Sequence, residues 1–328
     1  MKVLVVRFSS IGDIVLTTPV VRALYRQLGA EVHYLCKRSY ARVIEGNPYV
    51  YRIHNIDKRV GEVLPALREE AFDAVIDLHN NLRSWQLRLG LMRKTYAFDK
   101  INLRKWLMVR FKIDLLPDLH IVDRYLDAAR PLGIRKDGEG LDYFISSQDE
   151  VALPALFPEA AEGWTSGFVA FVVGAAHHTK RLPEEKVISL CRQMKKPVVL
   201  LGGPSDAEEG SRIADLAGNG VYNACGKLRL DQSASVIRQA EVVITPDTGL
   251  MHIAAAFQKR IISVWGNTIP EFGMYPYLPA SAPQPKIIQV NGLSCRPCSK
   301  IGYEACPLDH FRCMRDIPEH ELLQAVES

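Results

Sequence analysis

Each half of this chain has an apolar strand running straight into a turn that carries glycine and aspartate and opens a helix. That pairing limits the possible folds more than any other feature. The first junction, Arg7-Phe8-Ser9-Ser10-Ile11-Gly12-Asp13, follows the apolar run at 3–6. The second, Thr245-Pro246-Asp247-Thr248-Gly249-Leu250-Met251-His252, follows 242–244. Open α/β sheets bind ligands at such strand C-termini. Two junctions therefore predict two nucleotide-fold halves facing each other across a cleft, an arrangement suited to joining two substrates.

The surrounding pattern agrees. Apolar and β-branched runs predict strands at 3–6, 32–35, 51–56 and 74–78, with helices at 18–27 and 61–70 between them. A second series predicts strands at 168–173, 198–201, 221–224, 242–245 and 261–264, with helices at 184–194, 207–217, 232–239 and 249–257. Alternating strands and helices imply mainly parallel sheets. Polar, proline-containing sequence at 146–166 reads as a linker. The expected fold is α/β with two Rossmann-like α/β/α domains, 1–155 and 156–328. At 328 residues the chain is long for one core and comfortable for two.

The second junction points to phosphate. A helix N-terminus presents unpaired N–H groups and a partial positive charge. Gly249 lets a ligand approach the backbone, Thr248 offers a hydroxyl, and His252 lies one turn further along. Asp247 reads either as an N-cap or as an acceptor for a sugar hydroxyl. Upstream, Gly174-Ala175-Ala176-His177-His178-Thr179-Lys180-Arg181 follows another buried strand, and Lys180 and Arg181 offer charge for a diphosphate. The turn Gly202-Gly203-Pro204-Ser205-Asp206 fits a nucleoside contact. At the first junction Asp13 reads as a helix cap or a general base, and spacing alone favours the cap. The chain lacks a phosphate-binding G-x-x-x-x-G-K-[ST] loop, a strand-following G-x-G-x-x-G, an H-E-x-x-H and a G-x-S-x-G.

With these residues in view, FSSIGDIVLTTPVVRAL, TKRLP and PDTGLMHIAAAF resemble the ADP-heptose:lipopolysaccharide heptosyltransferases, glycosyltransferase family 9 with the GT-B fold. The likeness spans most of the chain and keeps the family's order and spacing. It implies an inverting, metal-independent transfer from a nucleotide-sugar, ADP-heptose, to a glycolipid acceptor of the lipopolysaccharide core at the inner membrane. It implies that Asp13 is the catalytic base and that Lys180 binds the donor phosphates and stabilises the leaving diphosphate. Gly174, Thr179, Asp206, Leu228, Asp247, Thr248, Gly249, Leu250 and His252 are expected on the donor, with Asp206 at the ribose and Leu228 on the adenine. Ser9, Ser10 and Gly12 are expected on the acceptor side. The chain departs from the pattern at Ala175 and Ala176, where members of known specificity can carry hydroxyls, so phosphate contacts there fall to backbone N–H groups or Thr179. The rival readings are a nucleotide-sugar epimerase of the same fold and a non-catalytic nucleotide-sugar-binding protein.

Two further features need placing. Between Arg83 and Lys112 stand nine basic residues and one acid, interleaved with Trp85, Leu89, Trp106 and Phe111. Such a stretch reads as an anionic-membrane surface or as a solvated amphipathic helix, and no nucleic-acid fold accompanies it. Arg83 is the expected acceptor contact within it. The four cysteines Cys295, Cys298, Cys306 and Cys313 have the number for a structural Zn²⁺ site, with an iron–sulfur cluster, disulfides or free thiols as alternatives. No cofactor is expected to take part in catalysis. The short apolar run before Arg7 and the lack of long apolar stretches lead to an expected cytoplasmic protein, peripheral on the inner face of the inner membrane.

Overall fold

The computed structural model describes residues 1–158, 164 and 167–328. It forms two compact units, Met1–Ile101 with Asp118–Phe144, and Asn102–Pro117 with Ile145–Ser328.

The first unit is built on a five-stranded sheet. Its strands are β1 Lys2–Val6, β2 Glu31–Lys37, β3 Arg52–Ile56, β4 Ala74–Asp77 and β5 Thr95–Ala97, in the order β3-β2-β1-β4-β5. All pairs are parallel. β1 and β4 are buried on both faces, so they read as continuous apolar runs rather than as alternation. The chain winds outward from β1 to β3, then crosses back to place β4 on the other side of β1. The switch point therefore lies between β1 and β4. The helix Thr18–Leu28 has Pro19 in its first turn and ends on Gly29 at φ 57°, a left-handed cap that glycine adopts without strain. Its Arg22, 0% exposed, pairs with Asp137 and Asp142 and donates to the Gly140 carbonyl, fastening the returning chain to the helix. Leu4, Val6, Phe8, Leu35, Phe72, Val75 and Leu87 form the core against the sheet. Each such side chain contributes roughly 1.5–3 kcal/mol on full burial.

The second unit holds six parallel strands: β6 Val169–Val172, β7 Val198–Leu201, β8 Val221–Asn223, β9 Val242–Pro246, β10 Arg260–Trp265 and β11 Lys286–Gln289. Their order, β11-β10-β9-β6-β7-β8, puts its switch point between β6 and β9. Val169, Phe171, Leu200, Ile244, Val264 and Met314 centre its core.

The expected strands are all present, and β5 and β11 are additions. β5 has three residues at a sheet edge, and β11 carries only Ile287 and Ile288 between polar ends, so neither leaves a period to read. The expected boundary at 155/156 differs from the observed division, which falls after Phe144 and returns 102–117 to the second unit. Lys112 Nζ explains that return by donating to the carbonyls of Cys295 (3.3 Å) and Pro297 (2.7 Å). The Lys105 ammonium also lies 5.5 Å from the centre of the Phe272 ring. Residues 159–163 and 165–166 of the expected linker lie outside the described residues.

Candidate active site

The first unit's switch point gathers the first junction. β1 ends at Val6, and Ser10 starts the short helix Ile11–Val15. Asp13 sits in that helix's first turn. Its Oδ2 accepts from the Ser10 N–H (3.1 Å) and hydroxyl (2.8 Å), and its Oδ1 pairs with Arg7 at 2.6 Å. The cap and the charged site are thus one carboxylate. Burial pushes the Asp13 carboxyl up, but the Arg7 guanidinium and the Ser10 donors outweigh it and bring it down to about 2.

Arg7 did not stand out as a site residue in the sequence, yet it ties this corner together. Its Nε donates to the Ser9 carbonyl (2.8 Å) and an Nη to the Leu78 carbonyl (2.6 Å), joining the ends of β1 and β4. Its guanidinium lies over the Tyr125 ring, 5.9 Å from the centre. The readable signal was a charged residue directly ending an apolar strand. His79, just past β4, packs edge-on against Phe8 at 4.9 Å. Burial and the charges of Arg7 and Lys100 push His79 down to about 3, so its imidazole is neutral. Arg83 lies on the same end, with its guanidinium 5.7 Å from the Phe8 ring centre. The expected acceptor residues Ser9, Ser10, Gly12 and Arg83 therefore share one strand-end region with Asp13.

The second unit's switch point gathers the second junction. Lys180, from the turn His178–Lys180 after β6, places Nζ 2.6 Å from Asp247 Oδ2 and 3.3 Å from the Asp247 carbonyl after β9. Thr268, after β10, donates its hydroxyl to the same Oδ2 (3.1 Å). Thr248 stands at the N-cap position of the helix Gly249–Ala256 without a side-chain cap bond, and the helix carries half-buried Leu250 and buried His252. Gly174 is obligatory here, since a Cβ would lie 2.1 Å from Asp206 Oδ2. Leu228 is half-buried beyond β8, nearer the sheet edge.

Three expected donor contacts have other work in the structure. Thr179 is 1% exposed, and its hydroxyl donates to the Tyr303 carbonyl (3.1 Å) while accepting from the Tyr303 N–H (2.9 Å). It is not placed to contact a phosphate. Arg181 donates to the Ala175 carbonyl and pairs with Asp206 at 2.7 Å, which leaves Lys180 as the cation of the pair beside Asp247. Asp206 also accepts from the Gly203 N–H (2.7 Å), so its carboxylate holds the loops together rather than standing open to a ribose.

None of the four clustered cysteines is paired in a disulfide. Burial and the neighbouring sulfurs raise Cys298, and burial with Cys298 nearby raises Cys313 to about 12. Cys295 Sγ also lies 3.9 Å from His310 Nε2. The residue types suit Zn²⁺ or another thiophilic ion, but no three of these sulfurs lie within 4.8 Å of one another. Among the described residues, the group whose candidate ligand atoms all lie within 4.8 Å of one another is a different one, His33, His54 and Glu70. There Glu70 already pairs with Lys2 and Arg52.

The family model for glycosyltransferase family 9 (heptosyltransferase) matches residues 60–307. The chain belongs to this family. It is similar to lipopolysaccharide heptosyltransferase 1 of Escherichia coli K12, 26% identical with 89% of this chain and 97% of the relative covered. It is also similar to lipopolysaccharide heptosyltransferase 1 of Pseudomonas aeruginosa, 25% identical over 98% and 93%. Its fold matches the family 9 glycosyl transferase of Veillonella parvula, with a TM-score of 0.78 at 20% identity, covering 99% of this chain and 96% of the other. The E. coli ADP-heptose lipopolysaccharide heptosyltransferase II matches with a TM-score of 0.74 at 20% identity, over 100% and 98%. As in these GT-B neighbours, the family 9 chain is built from two parallel-sheet α/β domains.

Proposed function

We propose that the chain is an inverting heptosyltransferase that moves heptose from ADP-heptose to a hydroxyl of a lipopolysaccharide-core glycolipid. One observation carries this reading: Asp13 and Lys180 stand at the switch points of two separate parallel sheets, one offering an ionised carboxylate and the other a cation. Named relatives that are heptosyltransferases of lipopolysaccharide support the sugar and the acceptor class. One solved relative is described with ADP-2-deoxy-2-fluoro heptose.

In this reading the acceptor hydroxyl hydrogen-bonds to Asp13. As its oxygen bonds to the anomeric carbon, the bond from that carbon to the diphosphate breaks and the proton passes to the carboxylate. Arg7 keeps the proton affinity of Asp13 low, so transfer of the proton is late, when the attacking oxygen has become acidic. ADP leaves with its charge balanced by Lys180 and by the N–H groups opening the helix Gly249–Ala256. The diphosphate is already a good leaving group, and no step calls for a metal. Release of ADP that depends on both ADP-heptose and a heptose-deficient lipopolysaccharide acceptor tests the reading.

The acceptor would bring the enzyme to the inner face of the inner membrane. Among the described residues, no helix is long and apolar enough to cross a membrane. The helix Asn102–Phe111 buries none of its residues and bears Leu103 (68% exposed), Trp106 and Phe111 beside Arg104 and Arg110. In the first unit, the helix Leu82–Leu91 separately exposes Trp85 and Leu89. Aromatic and basic side chains together favour an anionic lipid surface. For the four clustered cysteines we propose a structural Zn²⁺, for which their sulfurs would have to close in; metal analysis of the purified protein checks it.

A further inference from the structure

The cysteine-rich segment 295–313 lies far in sequence from Lys180, yet it touches both sides of the Lys180–Asp247 pair. On the lysine side, the Thr179 N–H donates to the Tyr303 carbonyl (3.1 Å), and the Thr179 hydroxyl bridges Tyr303's N–H and carbonyl. The His178 ring stacks on Phe311 with centres 5.5 Å apart. Gly302, at φ 130°, faces His177 so closely that a Cβ would lie 2.5 Å from its side chain. On the aspartate side, Arg296 donates to the carbonyls of Thr268 (2.9 Å) and Val290 (2.6 Å) and to Gln289 Oε1 (2.9 Å). Thr268 in turn donates to Asp247 Oδ2. The two struts meet at Gly266, whose added Cβ would lie 2.8 Å from the Thr179 carbonyl, and at Asn267, whose carbonyl accepts from the Cys298 N–H (3.2 Å).

We propose that segment 295–313 is a clamp that positions Lys180 and Asp247 for the donor diphosphate, with Arg296 and Thr179 as its positioning residues. Neither residue touches the donor. Arg296 fixes Asp247 through Thr268, and Thr179 fixes the backbone that presents Lys180. A segment serving only to stabilise the fold has no reason to brace two loops that meet at one ion pair from opposite sides. The clamp explains why a thiol-bearing appendage remote from β6 and β9 in sequence is packed onto both strand ends.

The proposal rests on the second unit's switch point being the donor site, and the test separates the two. Calorimetric titration with ADP is paired with donor and acceptor KM, kcat and Tm for Arg296→Met, Arg296→Lys, Thr179→Val and Thr179→Ser, with Lys180→Ala as the control. The clamp predicts that Arg296→Met, which loosens Thr268 and Asp247, raises the ADP Kd and the donor KM about tenfold, equivalent to about 1.4 kcal/mol of donor binding, while acceptor KM stays level. Thr179→Val moves the same quantities in the same direction. Arg296→Lys and Thr179→Ser, which keep a donor or a hydroxyl, recover most of the affinity. If Arg296→Met and Thr179→Val lower Tm but leave ADP Kd within twofold while Lys180→Ala weakens ADP, the clamp is wrong and the donor site stands. If Lys180→Ala leaves ADP binding unchanged, the donor-site reading itself fails.

Discussion

At the scale of single residues, the account turns on Asp13 and its partner Arg7. Asp13→Asn keeps the shape and removes the base, so turnover falls by about 10²–10⁴ while ADP affinity holds, because the base acts on the acceptor. Initial rates and ADP titration check both halves. Arg7 sets where Asp13 titrates. With that carboxyl near 2, the wild-type rate shows no acid limb from Asp13 above about pH 4. Arg7→Gln removes the guanidinium and leaves burial to push the carboxyl up, so an acid limb enters the measurable range of a kcat/KM profile. Much of this site was legible, because Asp13, Lys180 and Asp247 lie in local motifs at strand ends. Thr179 was misread because a hydroxyl beside a lysine resembles a phosphate ligand, and its true partner Tyr303 lies 124 residues away. Arg296 was unreadable for the same reason, since only the fold brings it to Thr268.

At the scale of elements, the loops carrying the site are locked by packing that glycine alone permits. Gly174→Ala drives a Cβ into Asp206, and Gly266→Ala drives one into Met314 and the Thr179 carbonyl. Each substitution costs about 1–3 kcal/mol in urea unfolding and weakens ADP, because the displaced loops carry or flank Lys180. Arg22→Ala strands Asp137 and Asp142 beside the helix Thr18–Leu28, and unfolding shows a loss of about 3–5 kcal/mol with ADP affinity unchanged. The long buried strands were plain in the sequence because apolar runs between turn residues admit little else. β5 and β11 were hidden because short edge strands take their stability from a neighbour rather than from their own pattern.

At the scale of the whole molecule, stability follows the charges. Asp13 has a depressed folded value, so its contribution of roughly 2 kcal/mol is present above its ordinary pKa and is lost as pH falls from about 4 toward 2. Wild type and Asp13→Asn should therefore converge in urea midpoint as pH drops through that window. The two-domain plan was visible from its paired junctions. The allegiance of 102–117 was not, because it depends on hydrogen bonds from Lys112 to carbonyls nearly two hundred residues away. The most direct test of the central claim is ADP release from ADP-heptose by wild type and Asp13→Asn, with and without a heptose-deficient lipopolysaccharide acceptor. The account predicts acceptor-dependent release by wild type, with one heptose added to the acceptor for each ADP, and release cut by about 10²–10⁴ in Asp13→Asn. Equal release without acceptor, or undiminished transfer by Asp13→Asn, would contradict it.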